Sequence, residues 1–346
     1  MIMQSKIYLE DMNFVAACSS IDWEKLRNKN ILVTGGTGLI GSTLINALLY
    51  ANDKKHLHLQ VVALVRNIEK ARTIFGEHNS LKIVVGTVEK LPDLDMPIDY
   101  IVHGASPTAS AFFVEHPVET IKTAVTGTIN LLEVAVKKSV QGFVYLSSME
   151  VYGAPHTDDV IPETQGTTVD TMSVRSCYPE AKRMCESLCA SYAREYTVPA
   201  MTIRLAQTFG PGVATDDGRV FAEFARCAMH KQAIVLQTAG TSKRCYLYTA
   251  DAVTAILTIL LSGKAGEAYN VANRDTYCSI VEMAHMVAEK LADGAIKVHV
   301  PTDGKHEPKF PPPHNLNLST DKVQNIGWRP SRGLVEMYER MIVGME

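Results

Sequence analysis

The chain encodes an α/β protein: a Rossmann-like, doubly wound parallel sheet with a smaller C-terminal substrate-binding lobe. Three observations predict this. Short apolar runs alternate with helical periodicity from residue 30 to residue 206, as in strands buried on both faces beneath crossover helices. Directly after the first run, Gly35-Gly36-Thr37-Gly38-Leu39-Ile40-Gly41 forms a glycine-rich turn that opens a helix. From Gln207 the alternation breaks down into loops, isolated helices and short strands, the mark of a lobe folded over the sheet.

Taken in order, residues 1–29 form a helical extension, with Phe14-Val15-Ala16-Ala17 and Ile21-Asp22-Trp23 at helix-like spacing, packed outside the main domain. Residues 30–206 form the dinucleotide-binding domain. Its strands are Asn30–Thr34, Leu59–Val65, Leu81–Val85, Tyr100–His103, Phe143–Ser147 and Pro199–Leu205. Helices run from Leu39, from Pro117 to Lys138, and from Tyr178 to about Tyr196. Residues 207–346 form the lobe, with segments returning to the sheet. Helices are expected at Val220–His230, Thr249–Leu261 and Ser279–Leu291, strands at Ala233–Gln237 and Ala268–Ala272, and a loop at Pro311-Pro312-Pro313.

Composition narrows the function classes. The 346 residues are 46% hydrophobic and 21% charged with a formal net charge of −3, so no basic field for nucleic acid or anionic membrane exists. Any bound phosphate needs a local site. The N-terminus has no apolar leader and no long apolar run follows. Seven cysteines without a Cys-x-x-Cys pair read as buried free thiols, which fits a reducing cytoplasm. His56 and His58 have no companion ligands at metal-site spacing, so no metal is expected.

The chemistry-bearing residues collect at the carboxyl ends of the strands, where ligands bind in such sheets. Gly36, Gly38 and Gly41 satisfy Gly-x-Gly-x-x-Gly: a tight turn, close approach of backbone to a pyrophosphate, and close packing of helix on strand. Arg66 stands after the second strand, where an acidic residue would hold a ribose 2′-hydroxyl; a cation there favours NADP over NAD. Ser148 and Glu150 follow the fifth strand. Tyr178 and Lys182, four residues apart, share one helix face, so a hydroxyl, a carboxylate, a phenol and an amine lie together.

With Thr34-Gly35-x-x-Gly38-x-x-Gly41, Ser148 and Tyr178-x-x-x-Lys182 in order, the chain resembles the extended short-chain dehydrogenase/reductases. In His103-Gly104-Ala105-Ser106-Pro107, Ser148-Met149-Glu150-Val151-Tyr152-Gly153, Asp217-Gly218-Arg219-Val220 and Lys243-Arg244-x-Tyr246 it is most similar to their nucleotide-sugar branch, UDP-glucuronate decarboxylases above all. The resemblance implies that Tyr178 is the acid/base, that Lys182 holds the nicotinamide ribose and lowers the phenol's pKa, and that Ser148 bonds the same substrate oxygen. It implies cofactor contacts from Gly35, Gly36, Thr37, Gly38, Leu39, Ile40, Arg66, Thr87, Ala105 and Ser106. Substrate contacts would come from Pro107, Ser148, Glu150, Arg204, Gln207, Arg219 and Arg244, and Glu150 would act on the sugar. Asp251 reads equally as an N-terminal capping or first-turn helix carboxylate. A homodimer through the helices 117–138 and 178–196 is also implied, although the apolar stripe of Cys185, Leu188, Cys189 and Tyr192 fits a monomer's core as well.

The departures bear on the reaction. Met149-Glu150 replaces the Asp-Glu of dehydratases, which argues against 4,6-dehydration. Thr87 stands for an adenine-binding Asp, and Ala124 and Gln207 stand for Asn. Decarboxylation or epimerisation of a nucleotide-linked sugar leads, NADPH-dependent reduction of a nucleotide-linked carbonyl follows, and a non-catalytic nucleotide binder is third.

Overall fold

The computed structural model describes residues 5–301 and 313–345. Helix α1 (Lys6–Ala17) precedes strand β1 (Asn30–Thr34), α2 (Leu39–Lys55), β2 (Gln60–Val65), α3 (Ile68–Phe75), β3 (Leu81–Val85) and β4 (Tyr100–His103). Then come α4 (Ser110–Glu115), α5 (Pro117–Lys138), β5 (Gly142–Ser148), the two-residue β6 (Val160–Ile161), α6 (Cys177–Glu195) and β7 (Ala200–Leu205). The chain continues through β8 (Gln207–Phe209), α7 (Val220–Met229), β9 (Ile234–Val235), β10 (Lys243–Tyr248), α8 (Thr249–Ser262), β11 (Ala268–Val271) and β12 (Asn273–Ser279). It closes with α9 (Ile280–Met286), β13 (Val298–His299), β14 (Asn315–Leu318), α10 (Asp321–Asn325) and α11 (Leu334–Met345).

The main sheet has seven strands in the order β11-β7-β5-β4-β1-β2-β3, and every pairing in it is parallel. Its central strands are largely apolar and almost wholly buried because helices cover both faces: in β1 only Asn30 escapes full burial, and in β2 only Gln60. At the β3 edge cover is incomplete, and Val85 lies open to solvent. The ends of α5 follow from local chemistry. Pro117 sits in the first turn, where its missing N–H costs nothing. Lys137 and Lys138 face the carbonyl end, and Ser139 caps it in a left-handed conformation.

The second sheet runs β12-β10-β14-β6, with β8 also paired to β10. The two sheets exchange chain: β6, from the N-terminal half, completes the lobe's sheet, while β11, from the C-terminal half, completes the main one. Between them lies α8, buried along its length. Ile256, Leu257, Ile259 and Leu260 there each contribute about 1.5–3 kcal/mol by leaving water. Asp251 in its first turn does not cap α8. It accepts from Ser331 N (2.9 Å), Ser331 Oγ (2.6 Å) and Arg332 N (3.3 Å), tying the C-terminal segment to the helix.

The N-terminal extension packs through Met12, Val15 and Ala16, which are buried, and Arg340 of α11 donates to Asp11 at 2.8 Å. Several details differ from the sequence expectation. The strand expected at Ala233–Gln237 shrinks to the two residues that pair with β13. The helix expected to reach Leu291 changes to a π-helical turn after Met286. Of the loop expected at Pro311–Pro313, Pro311 and Pro312 lie outside the described residues.

Candidate active site

The turn after β1 is shaped by its glycines. Gly35 has φ +73°, and a Cβ there would stand 2.8 Å from the Gly104 carbonyl of the next strand end. A Cβ on Gly41 would lie 2.2 Å from the Gly35 oxygen, and one on Gly36 would lie 2.7 Å from Ile45 Cδ1. Gly38 is exposed and heads α2, which no side chain caps, so the first-turn N–H groups are open to an anion. Thr37, Leu39 and Ile40 line the same turn, partly buried.

Next to it, Thr34 Oγ1 receives Ala105 N at 3.2 Å and bonds His103 Nδ1 at 2.8 Å, while His103 Nε2 meets Thr128 Oγ1 at 3.1 Å. Complete burial, aided by the Lys182 charge, pushes the His103 pKa down to about 3, so the ring is neutral and structural. Ser106, beside Pro107, has a buried Oγ with no hydrogen-bond partner. An uncapped helix start, an exposed glycine and an orphaned hydroxyl at one crevice fit a dinucleotide. Arg66 stands exposed just after β2. Burial raises the Glu89 carboxyl, but hydrogen bonds, that of Thr123 first, outweigh it and hold that carboxyl below its usual range, with a smaller contribution from the Arg66 charge. Thr87 Oγ1 accepts from Lys90 N at 3.2 Å.

The Ser148 hydroxyl, at the end of β5, accepts Glu150 N at 3.2 Å and starts the 3-10 turn Met149–Tyr152. Tyr178 and Lys182 are buried on α6. The Lys182 ammonium lies 5.7 Å from the centre of the Tyr178 ring and donates to the Leu146 carbonyl at 2.7 Å. Burial brings its pKa down to about 8. The phenol behaves contrary to the expectation of a lowered pKa. Burial first, and the Glu150 charge second, push it up, and only the Ser148 hydrogen bond and Arg175 ease it. Lys182 gives its hydrogen bond to the Leu146 carbonyl and lies over the face of the Tyr178 ring.

Two residues that sequence reasoning passed over complete this cluster. Phe113 of α4 stacks on Tyr178, ring centres 4.2 Å apart and planes 12° apart, and Arg175 donates to Glu150 Oε2 at 2.7 Å. Phe113 sits in a short helix without a periodic signal, and Arg175 lies in a single 3-10 turn too short for one, so neither had a pattern to betray it.

The expected substrate arginines separate into two groups. Arg204 is held by the protein itself: it donates to Glu186 through Nε and Nη2, and through Nη1 to Tyr152 Oη (2.8 Å) and the Glu163 carbonyl (2.8 Å). Its partner Glu186 also accepts from Ser147 Oγ at 2.6 Å. Both line a separate cavity of about 380 Å³ behind α6 that no glycine-turn residue reaches. Arg219 heads α7, bound to Asp217 and lying over Phe221. Arg244 of β10 meets His314 at 3.4 Å through Nη2, while its buried Nε has no partner. Gln207 in β8 is half-buried and pairs in register with Tyr246. The Cys185 and Cys189 thiols are buried between α6 and its neighbours, their pKa values raised by that burial.

A parallel sheet with a glycine turn at its first strand end, and a Tyr-x-x-x-Lys helix beside the fifth, defines a Rossmann-like dinucleotide-binding protein. The model of the NAD dependent epimerase/dehydratase family matches residues 31–272. The chain is similar to UDP-glucuronic acid decarboxylase 3 of Arabidopsis thaliana, with 31% identity over 89% of this chain and 86% of that protein. Among solved structures it superimposes on the UDP-glucose 4-epimerase of Thermotoga maritima with UDP-glucose (TM-score 0.73, 22% identity, 91% of this chain and 98% of that one). It also superimposes on the dTDP-glucose 4,6-dehydratase of Streptomyces venezuelae with NAD bound (TM-score 0.75, 21% identity, 91% and 96% of the two chains). The chain belongs to the NAD dependent epimerase/dehydratase family, an enzyme of the extended short-chain dehydrogenase/reductase type.

Proposed function

We propose that the protein modifies a nucleotide-linked sugar by a decarboxylase- or epimerase-like reaction, with Tyr178 as the acid/base. The observation that carries this is the convergence of Ser148, Glu150, Tyr178 and Lys182 beside the glycine turn. A nicotinamide bound there supplies the hydride acceptor and donor. Tyr178 takes a proton from a sugar hydroxyl and returns it, and Ser148 orients the same oxygen by a hydrogen bond. Lys182 exchanges its Leu146 carbonyl for the ribose and brings positive charge to the phenol, which lowers the cost of ionising it. Glu150 acts on the sugar beyond the reacting carbon.

Gly35, Gly36, Thr37, Gly38, Leu39, Ile40, Thr87, Ala105 and Ser106 form the cofactor cradle in this reading. Pro107, Gln207, Arg219 and Arg244 face the substrate, and the unpartnered Arg244 Nε supports that role. Arg204 is left to hold the frame, since its donors are occupied. The free thiols agree with a reducing cytoplasm, and the exposed Val118, Ile121 and Met184 agree with a dimer through α5 and α6. No helix among the described residues is long and apolar enough to cross a membrane.

Incubation with UDP-glucuronic acid, UDP-glucose and NAD is the direct test. Carbon dioxide release or epimer formation without net change in reduced nicotinamide supports the reading. Stoichiometric NADPH oxidation with a nucleotide-linked keto sugar identifies a reductase instead, the second reading, which Arg66 and Met149 favour. Arg66 also favours NADP over NAD; equal or tighter binding of NADH than NADPH removes that preference.

A further inference from the structure

Arg175 lies in the 3-10 turn Val174–Ser176 that leads into α6. Its Nη2 is 2.7 Å from Glu150 Oε2, and its guanidinium carbon is 5.0 Å from the centre of the Phe113 ring. Phe113 is 1% exposed and stacks on Tyr178. The Cys177 thiol, next to Tyr178 in the chain, donates to the Phe113 carbonyl at 3.3 Å and fastens α4 to the start of α6. Carboxylate, guanidinium, apolar ring and phenol thus form one continuous chain of contacts.

We propose that Arg175 is a positioning residue for the Tyr178 phenol: it pairs with Glu150, braces the Phe113 ring stacked on that phenol, and so fixes both the carboxylate's charge and the phenol's plane. The inference rests on the reading of Tyr178 as the acid/base. The physical need is plain. A carboxylate beside a buried phenol opposes formation of phenoxide, so an enzyme that keeps Glu150 near Tyr178 needs a cation to neutralise it. Lys182 feels the Glu150 charge but gives its hydrogen bond to the Leu146 carbonyl, and Cys177 on α6 and Tyr145 on β5 are neutral thiol and phenol; Arg175 is the cation in direct contact with Glu150. A guanidinium can also bond a carboxylate with its edge while lying flat over an aromatic ring, a combination an ammonium cannot reproduce.

The test uses the full chain without substrate or cofactor. Tyr178 is replaced by 3,5-difluorotyrosine, whose more acidic phenol titrates within the range of the folded protein, and its ionisation is followed by fluorine NMR. In R175M the midpoint rises by about half a pH unit or more, roughly threefold in the ionisation constant. R175K, which keeps a charge near Glu150, recovers most of the shift, and adding E150Q to R175M removes it. An unchanged or lower midpoint in R175M overturns the proposal, as does indifference of R175M to E150Q. Should R175M not fold, R175Q carries the same expectation. Turnover of UDP-glucuronic acid by Y178F separates the two ideas. Retained turnover refutes the acid/base reading itself, whereas a dead Y178F with a midpoint insensitive to Arg175 refutes only the inference.

Discussion

Replacing Glu186 by Leu tests whether Arg204 belongs to the frame or to the substrate. The two side chains are 12% and 14% exposed, and their closest approach is 2.6 Å. Glu186→Leu strands a guanidinium in a poorly solvated site with two neutral acceptors remaining, Tyr152 Oη and the Glu163 carbonyl. It also deprives Ser147 Oγ of its partner. Breaking one side of such a pair costs about 3–5 kcal/mol; the surviving bonds place this case near the lower end, at about 3 kcal/mol. Urea denaturation monitored by circular dichroism measures it, as a fall in midpoint at unchanged slope. The double variant E186L/R204M removes both charges and should lose less than E186L alone. A loss below about 1 kcal/mol in E186L, or a double variant worse than the single, refutes the assignment of Arg204 to the frame.

Further expectations can be measured on the same protein. Gly41→Ala places a Cβ 2.2 Å from the Gly35 oxygen, so the turn must shift; NAD binding by calorimetry should weaken by about tenfold or more. Tyr178→Phe keeps the Phe113 stack and hence the melting temperature, but should lower turnover by about 10²-fold or more; a smaller loss removes the phenol from the chemistry. His103 should make folding acid-sensitive. Its folded pKa is lowered from 6.5 to about 3, so the unfolded chain binds one more proton between those values and stability falls as pH drops through that window. In His103→Gln the dependence of unfolding free energy on pH between those limits should be shallower by about one proton; an unchanged slope refutes a neutral buried His103.

Much of the sheet was legible because burial on both faces leaves no choice but apolar residues, as in Ile31-Leu32-Val33. The ends of α5 could be read from Pro117 and the lysine pair before Ser139. By contrast, β10 opens with Lys243-Arg244 and runs straight into α8 without a turn residue, so no punctuation marks it. The two residues of β6 are too few for any period. Tyr178 and Lys182 were legible because helical spacing relates them directly. The Arg175–Glu150 pair spans 25 residues whose only regular elements are 3-10 turns and the two-residue β6, and the partner of Arg204 lies 18 residues earlier on a different element. Such pairings depend on how α6 crosses β7, which no local pattern encodes.

The exchange of β6 and β11 between the two sheets has a consequence for synthesis. When residues 1–206 have left the ribosome, β7 stands at the rim of the main sheet with its backbone unpaired on one side, because its neighbour β11 begins at Ala268. Such an unpaired edge, Ala200–Leu205, invites pairing with other nascent chains until some sixty more residues emerge to cover it. Chains arrested at residue 206 should therefore remain protease-sensitive and self-associate, while chains extended past β11 become resistant. Protection already complete at residue 206 would show that the N-terminal half closes its sheet without help.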